Sequence, residues 1–269
     1  MKWNRIKAVI RKDLREITSN KMVILPMIIV PLMFCILLPV AFILISLLVD
    51  AGGINGLETI AKLLPAYPVP SSFDTLPLQF LFIFLNYTFI PLFMLIPIMV
   101  SSIIASNAIV GEKERKTLET LLYTPITNGE FIVAKLLSSF IPAVIVSFGG
   151  FLLFFLAGNA VSLAVGGIVA IRSPIWIPAM LLLSPAVSLL GLSVTLMVSL
   201  KAKTFMEAQQ TAGVIVLPFV ILVVVQITGV VIFKGWLVIL FSVLLFGLDY
   251  LFIGRLSPRF SRERIIATL

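Results

Sequence analysis

The sequence predicts an all-α polytopic membrane protein of six transmembrane helices, with an N-terminal interfacial elbow helix and a short charged helix between spans two and three. Three observations carry this. Apolar residues make up 60% of the 269 and charged ones only 12%, with a mean hydropathy of +1.18, far from the balance of a water-soluble domain. Six regions, about 22–49, 79–108, 133–157, 176–200, 211–232 and 236–254, reach the roughly 20 residues a helix needs to cross the hydrocarbon core. The cations also segregate: with the N-terminus in the cytoplasm, seventeen of the twenty Lys and Arg fall on that side and only Lys62, Arg172 and Lys234 on the other, the bias that orients multi-pass proteins. The expected location is the cell membrane, multi-pass, with both termini cytoplasmic.

Residues 1–21 form the first element. On a helix, Trp3, Ile6, Ile10, Leu14 and Ile17 share a narrow face while Lys2, Arg5, Lys7, Arg11, Lys12 and Arg15 occupy much of the rest. Such a helix lies in the interface plane with its cations near anionic headgroups, so membrane lipids are expected partners. Its long polar part does not read as a cleavable signal. Residues 22–269 make up the six-span domain, with a cytoplasmic tail from about 255.

Between spans one and two, residues 52–77 contain LETIAKLL and four prolines, which limit any helix there to about two turns. This predicts a small external cap. The apolar run AVSLAVGGIVAI, residues 160–171, is too short to span and is expected to be an external interfacial or re-entrant piece after span three.

The stretch GEKERKTLETLLYTP, residues 111–125, is the most informative loop. Leu118, Leu121 and Leu122 fall on one helical face, and Glu112 with Lys116 and Arg115 with Glu119 are opposite charges one turn apart. Pro125 ends this helix. The next begins with a capping box, Thr127 and Glu130, and an Ile126–Phe131 staple. A helix placed at 111–124 with a leucine face and firm ends predicts a docking surface for a cytoplasmic protein. KAKTFMEAQQ, residues 201–210, is either a second contact, through Glu207 and Gln209, or a polar connector.

Several chemistries are excluded. His is absent and Cys35 is the single cysteine, so disulfide frameworks and His-based metal or catalytic sites cannot form within this chain. There is no Walker A phosphate loop and no G-x-S-x-G elbow. The cationic surplus behind the net charge of +8 clusters in a few short segments between apolar runs and forms no nucleic-acid patch. The chain is expected not to be an enzyme. Within the spans, Asn86, Ser102, Gln226 and Asp249 are the candidates for lining a path or bridging helices, Asp249 because an ionisable group in lipid attracts suspicion.

Taken together, the six spans, the N-terminal helix and the run from Glu112, Glu114, Arg115 and Thr117 through Leu118, Glu119, Leu121, Leu122 and Pro125 to Ala134 and Lys135 resemble the permease subunits of the ABC-2 type family, particularly its sodium-extrusion permease-like branch. Glu207, Ala208 and Gln209 before span five, and Phe260, Arg262 and Glu263 after span six, extend the likeness over the chain. The resemblance implies a permease of an ATP-binding-cassette transporter, typically an exporter, that pairs with a second copy of itself or a homologous permease. Cytoplasmic ABC ATPase subunits would carry the ATP and Mg, leaving no cofactor in this chain. It makes the 111–124 segment a coupling helix, with Glu112, Glu114, Arg115, Leu118, Glu119 and Leu122 as contacts and Glu207 and Gln209 beside them. The competing expectation is a non-transport membrane anchor or receptor that recruits a cytoplasmic protein through the same helix.

Overall fold

A computed structural model describes residues 2–48, 67–117, 126–227 and 234–259. Among these residues the chain is helical, with no strand. The N-terminal helix α1 is Trp3–Ser19, and six longer helices follow: α2, Val23–Leu47; α3, Leu76–Glu114; α4, Asn128–Gly166; α5, Trp176–Ser199; α6, Phe205–Gln226; and α7, Gly235–Arg259. All six are long and apolar enough to cross a membrane.

Helix α3 is the axis of the bundle. Its most apolar stretch is 89% buried within the protein, against 17–22% for those of α2, α4, α6 and α7. The peripheral helices therefore turn rows of Leu, Ile and Val outward, which suits a lipid surround and would be costly in water. Helix α5 lies closest to α3. A Cβ added to Gly191 would sit 2.6 Å from Ser101 Oγ and 3.3 Å from Ile98 Cα, so the absent side chain is what lets the two backbones approach. Thr195 Oγ1 crosses the same seam to donate to Ser102 Oγ at 2.9 Å.

Among the described residues, four widened, π-type turns interrupt the helices, at Met33–Leu37, Phe84–Thr88, Asn107–Gly111 and Ala179–Leu183. Three lie just ahead of Pro39, Pro91 and Pro185. Proline has no N–H and its ring crowds the carbonyl one turn back, so the hydrogen-bond ladder re-registers by taking in an extra residue.

The 160–171 segment differs from its expected form. Residues up to Gly166 continue α4, which ends at Gly167 in the left-handed conformation, φ 64°. The chain then turns back on the protein, with Ala170 and Ile171 buried. Polar side chains direct this return. Asn159 Oδ1 accepts from the Ile171 N–H at 2.8 Å, and Asn159 Nδ2 donates to the Ile171 carbonyl at 3.0 Å. The segment is thus the final turns of a long helix plus a pinned strap, and not a separate re-entrant piece. Likewise, residues 201–210 are only in part a connector, because α6 already begins at Phe205, where Thr204 accepts from the Glu207 N–H.

Candidate functional site

The end of the bundle near α1 is where charge gathers. The buried face of α1 is Ile6, Val9, Asp13 and Ile17, so an acid stands in the middle of an apolar stripe, while Trp3 is half exposed. A buried carboxylate requires a partner, and α4 supplies it. Lys135 Nζ lies 3.0 and 3.1 Å from the two Asp13 oxygens and 3.1 Å from Glu112 Oε1 at the end of α3. Ser138 Oγ also donates to Asp13 Oδ2 at 2.9 Å, and Lys12 pairs with Glu112. Burial pushes the Asp13 carboxyl above its ordinary range, reinforced by the negative charge of Glu112 and opposed by the Lys135 ammonium and the Ser138 hydroxyl.

A second pair adjoins the first. Arg115 Nη2 sits 2.7 Å from Glu16 Oε1 and donates to Asn107 Oδ1 at 2.9 Å, while its Nε reaches the Gly111 carbonyl at 3.1 Å. Asp13, Glu16 and Glu112 bring carboxylate oxygens within 4.8 Å of one another. Lys12, Arg115 and Lys135 interleave with them, so the cluster is a balanced set of ion pairs.

From this cluster the end of α3 reaches two further helices. Lys113 Nζ donates to the carbonyls of Ser199 at 3.3 Å and Leu200 at 2.9 Å, at the C-terminal end of α5, where helix carbonyls lack an intrahelical partner. Glu114 Oε1 accepts from the Phe205 N–H at 3.0 Å, at the start of α6. At the start of α4 the capping box is formed, with Thr127 Oγ1 accepting from the Glu130 N–H and Glu130 accepting from the Thr127 N–H. Glu130 Oε1 also accepts from the Lys2 N–H at 2.6 Å, which ties α1 to the base of α4. One short segment, 112–115, thus holds α1, α4, α5 and α6 at once.

The expected helix over 111–124 does not run through unbroken. Lys116 has φ 55°, its N–H bonds to the Lys113 carbonyl, and the Thr117 N–H reaches back to the Glu112 carbonyl at 3.0 Å, which closes α3 with a left-handed turn. Lys116 is therefore not one turn along from Glu112, and Glu112 is fully buried against Lys135 and Lys12. Leu118, Glu119 and Leu122 lie outside the described residues. The exposed tip of the described segment consists of Glu114, Arg115, Lys116 and Thr117, with Met206 and Glu207 of α6 also exposed and Gln209 half-buried. A cleft of about 620 Å3 opens beside it, between Lys21 and Pro26 on one wall and Arg115, Phe205 and Met206 on the other.

The other sequence-selected residues are elsewhere. Asn86 is fully engaged: its Nδ2 donates to the Phe82 and Ala170 carbonyls, and its Oδ1 accepts from the N–H groups of Arg172 at 3.0 Å and Ser173 at 2.9 Å. Ser102 bonds Thr195 across the α3–α5 seam. Gln226 and Asp249 are buried, and their side-chain polar atoms have no hydrogen-bond partner among the described residues.

Sequence reasoning passed over Asp13 and Glu16 and did not connect Lys135 with them. A signal was present. An acid at the i+4 and i−4 positions of Val9 and Ile17 interrupts the apolar stripe of α1, and Lys135 is a lone cation early in span three; each predicts a buried counterion.

Comparison with known proteins agrees with this architecture. A family model described as ABC-2 family transporter protein matches residues 7–247. No curated protein matches the chain.

Proposed function

Because the chain belongs to the ABC-2 family of transporter proteins, a family of membrane transport components that associate with ABC ATPase subunits, we propose that it is an export permease driven at the 112–125 junction by a separate cytoplasmic ATPase. In this reading the N-terminus, the junction and the C-terminal tail face the cytoplasm. The permease pairs with a second copy of itself or a homologous permease, and the ATPase partner holds the ATP and Mg. The sodium-extrusion branch remains part of the proposal, with the cargo left to transport assays.

The observation that carries it is the multiple anchorage of the end of α3. Glu112, Lys113, Glu114 and Arg115 bond respectively to α4 and α1, to the end of α5, to the start of α6, and to α1. A partner that displaces the residues just beyond Thr117 therefore moves four helices together, which is what alternating access requires of a drive point. Buried Glu112 and paired Arg115 transmit the displacement in this scheme. Glu114, Glu119, Leu118 and Leu122, with Glu207 and Gln209 alongside, are the surface offered to the ATPase.

The test is co-purification with candidate ATPases followed by ATP hydrolysis in liposomes. Glu114→Lys with Glu119→Lys should reduce complex formation and leave membrane insertion intact; unchanged binding counts against the assignment. Placement is checked separately with Thr120→Cys, since the native Cys35 is buried and silent. Labelling of intact cells by an impermeant thiol reagent would put the junction on the wrong side.

A further inference from the structure

At the opposite end of the bundle from α1, a cleft of about 630 Å3 opens between the starts of α5 and α7, the upper part of α3 and the chain leading into it. Two of the twenty Lys and Arg in the sequence, Arg172 and Lys234, line this one cleft. No acidic side chain lines it among the described residues. Neither cation has an ion pair among those residues; the charge pairs all lie in the junction at the other end. Two like charges that share a cleft and have no ion-pair partner among the described residues repel, and an anion between them relieves that repulsion.

The rest of the wall is different in kind. Phe82, Tyr87, Pro68 and Pro174 make it largely apolar, the usual combination for a small-molecule site in which a few polar groups fix orientation and apolar surface supplies affinity. The cationic side is also held in place. The N–H groups of Arg172 and Ser173 both bond Asn86 Oδ1, and Asn159 bonds both backbone groups of Ile171. Arg172 is thus presented on a fixed strap, which lowers the ordering cost of binding.

We propose that this cleft binds an amphipathic anion, with a phosphate or carboxylate head between Arg172 and Lys234 and an apolar stem along Phe82, Tyr87 and the prolines. The proposal does not depend on the ATPase assignment, since it rests on the cleft alone. The same chemistry is offered by a free single-chain amphiphile and by an anionic phospholipid of the adjoining leaflet.

Trp176, next to the lining residue Ile175, is buried in a ring cluster with Phe89, Phe93, Phe151 and Phe154 and serves as the reporter. In a Trp3→Phe, Trp236→Phe background it is the sole tryptophan. Purified full-length protein in uncharged detergent is titrated with a bromine-labelled alkyl phosphate, and with a bromine-labelled alcohol of the same chain. The expected result is saturable quenching by the phosphate and none that saturates with the alcohol. Arg172→Gln with Lys234→Gln should raise the midpoint roughly a hundredfold, about tenfold for each charge removed. Arg172→Lys with Lys234→Arg should keep it within about threefold of the parent. Both side chains are exposed, and the Arg172 backbone bonds survive either change, so unaltered elution on gel filtration is expected throughout. A parallel titration uses nanodiscs of zwitterionic lipid doped with brominated phosphatidylglycerol. Quenching there that the double Gln variant loses identifies the leaflet as the source, and quenching by the alkyl phosphate alone identifies a free amphiphile. Equal quenching by phosphate and alcohol, or a midpoint unchanged in the double Gln variant, overturns the proposal.

Discussion

Lys135 Nζ lies 3.0 and 3.1 Å from the two carboxylate oxygens of Asp13, joining the N-terminal helix to the third membrane-crossing helix with both side chains almost completely buried. Removing one member of a buried pair strands the other. Lys135→Met leaves Asp13 and Glu112 facing each other without their shared cation and should cost about 3 to 5 kcal/mol. Thermal unfolding in detergent should show this as a midpoint lower by roughly 5 to 15 °C. Asp13→Leu combined with Lys135→Leu should recover part of the loss, because Glu112 keeps Lys12.

The same pair sets a pH dependence. Asp13 faces Lys135, Glu112, Ser138 and Lys12, and its folded value is raised, chiefly by burial. The folded protein therefore holds this proton more tightly than the unfolded chain. Its contribution to stability is greatest at acid pH and declines as pH rises from about 4 through the raised value. Melting curves of the native protein and Asp13→Asn across that range should diverge in this sense. A native protein that gains stability over the window relative to Asp13→Asn would show the sign to be wrong.

Lys116 holds a left-handed turn at φ 55°, a conformation that costs a side-chain-bearing residue about 1 kcal/mol and glycine little. Lys116→Gly should leave stability unchanged or raise it by up to about 1 kcal/mol, whereas Lys116→Val, with a branched Cβ, should lower it. Chemical denaturation of the two variants makes the comparison.

Asn86 satisfies four backbone groups from within α3, two of which are the amides of Arg172 and Ser173. Asn86→Leu keeps the approximate volume and orphans those groups, at about 1 to 3 kcal/mol for each that stays buried. Limited proteolysis should cut the 168–175 strap faster in this variant, with the spans still protected.

Much of the architecture was legible in the sequence because lipid imposes a length and a polarity on every crossing helix. The six apolar runs and the capping box at Thr127 and Glu130 both appear in the structure. The expected separation of residues 160–171 from span three failed because hydropathy does not register an Asn159 that ties the chain back onto itself, so a continuous helix and strap looked like an isolated apolar piece. The junction was legible as a place and misread in its contacts. Local i,i+4 logic paired Glu112 with Lys116, whereas burial gave Glu112 the far stronger claim of Lys135. A residue 23 positions away cannot be inferred from helical periodicity, although an acid on the apolar stripe of α1 announced that some cation had to meet it.

The widened turns have a consequence for how such a bundle can flex. Pulling buried Asp13, Glu112 and Lys135 apart would leave ions stranded away from water, so α1 and the roots of α3 and α4 are bound into one block. Pliancy is then left to the loosened coils at Phe84–Thr88 and Ala179–Leu183, near the other end of α3 and α5. Under the proposed drive, a shift of the block would be taken up as a tilt there, beneath the cleft that holds Arg172, with the charged end as a stiff handle and the joints at the opposite rim.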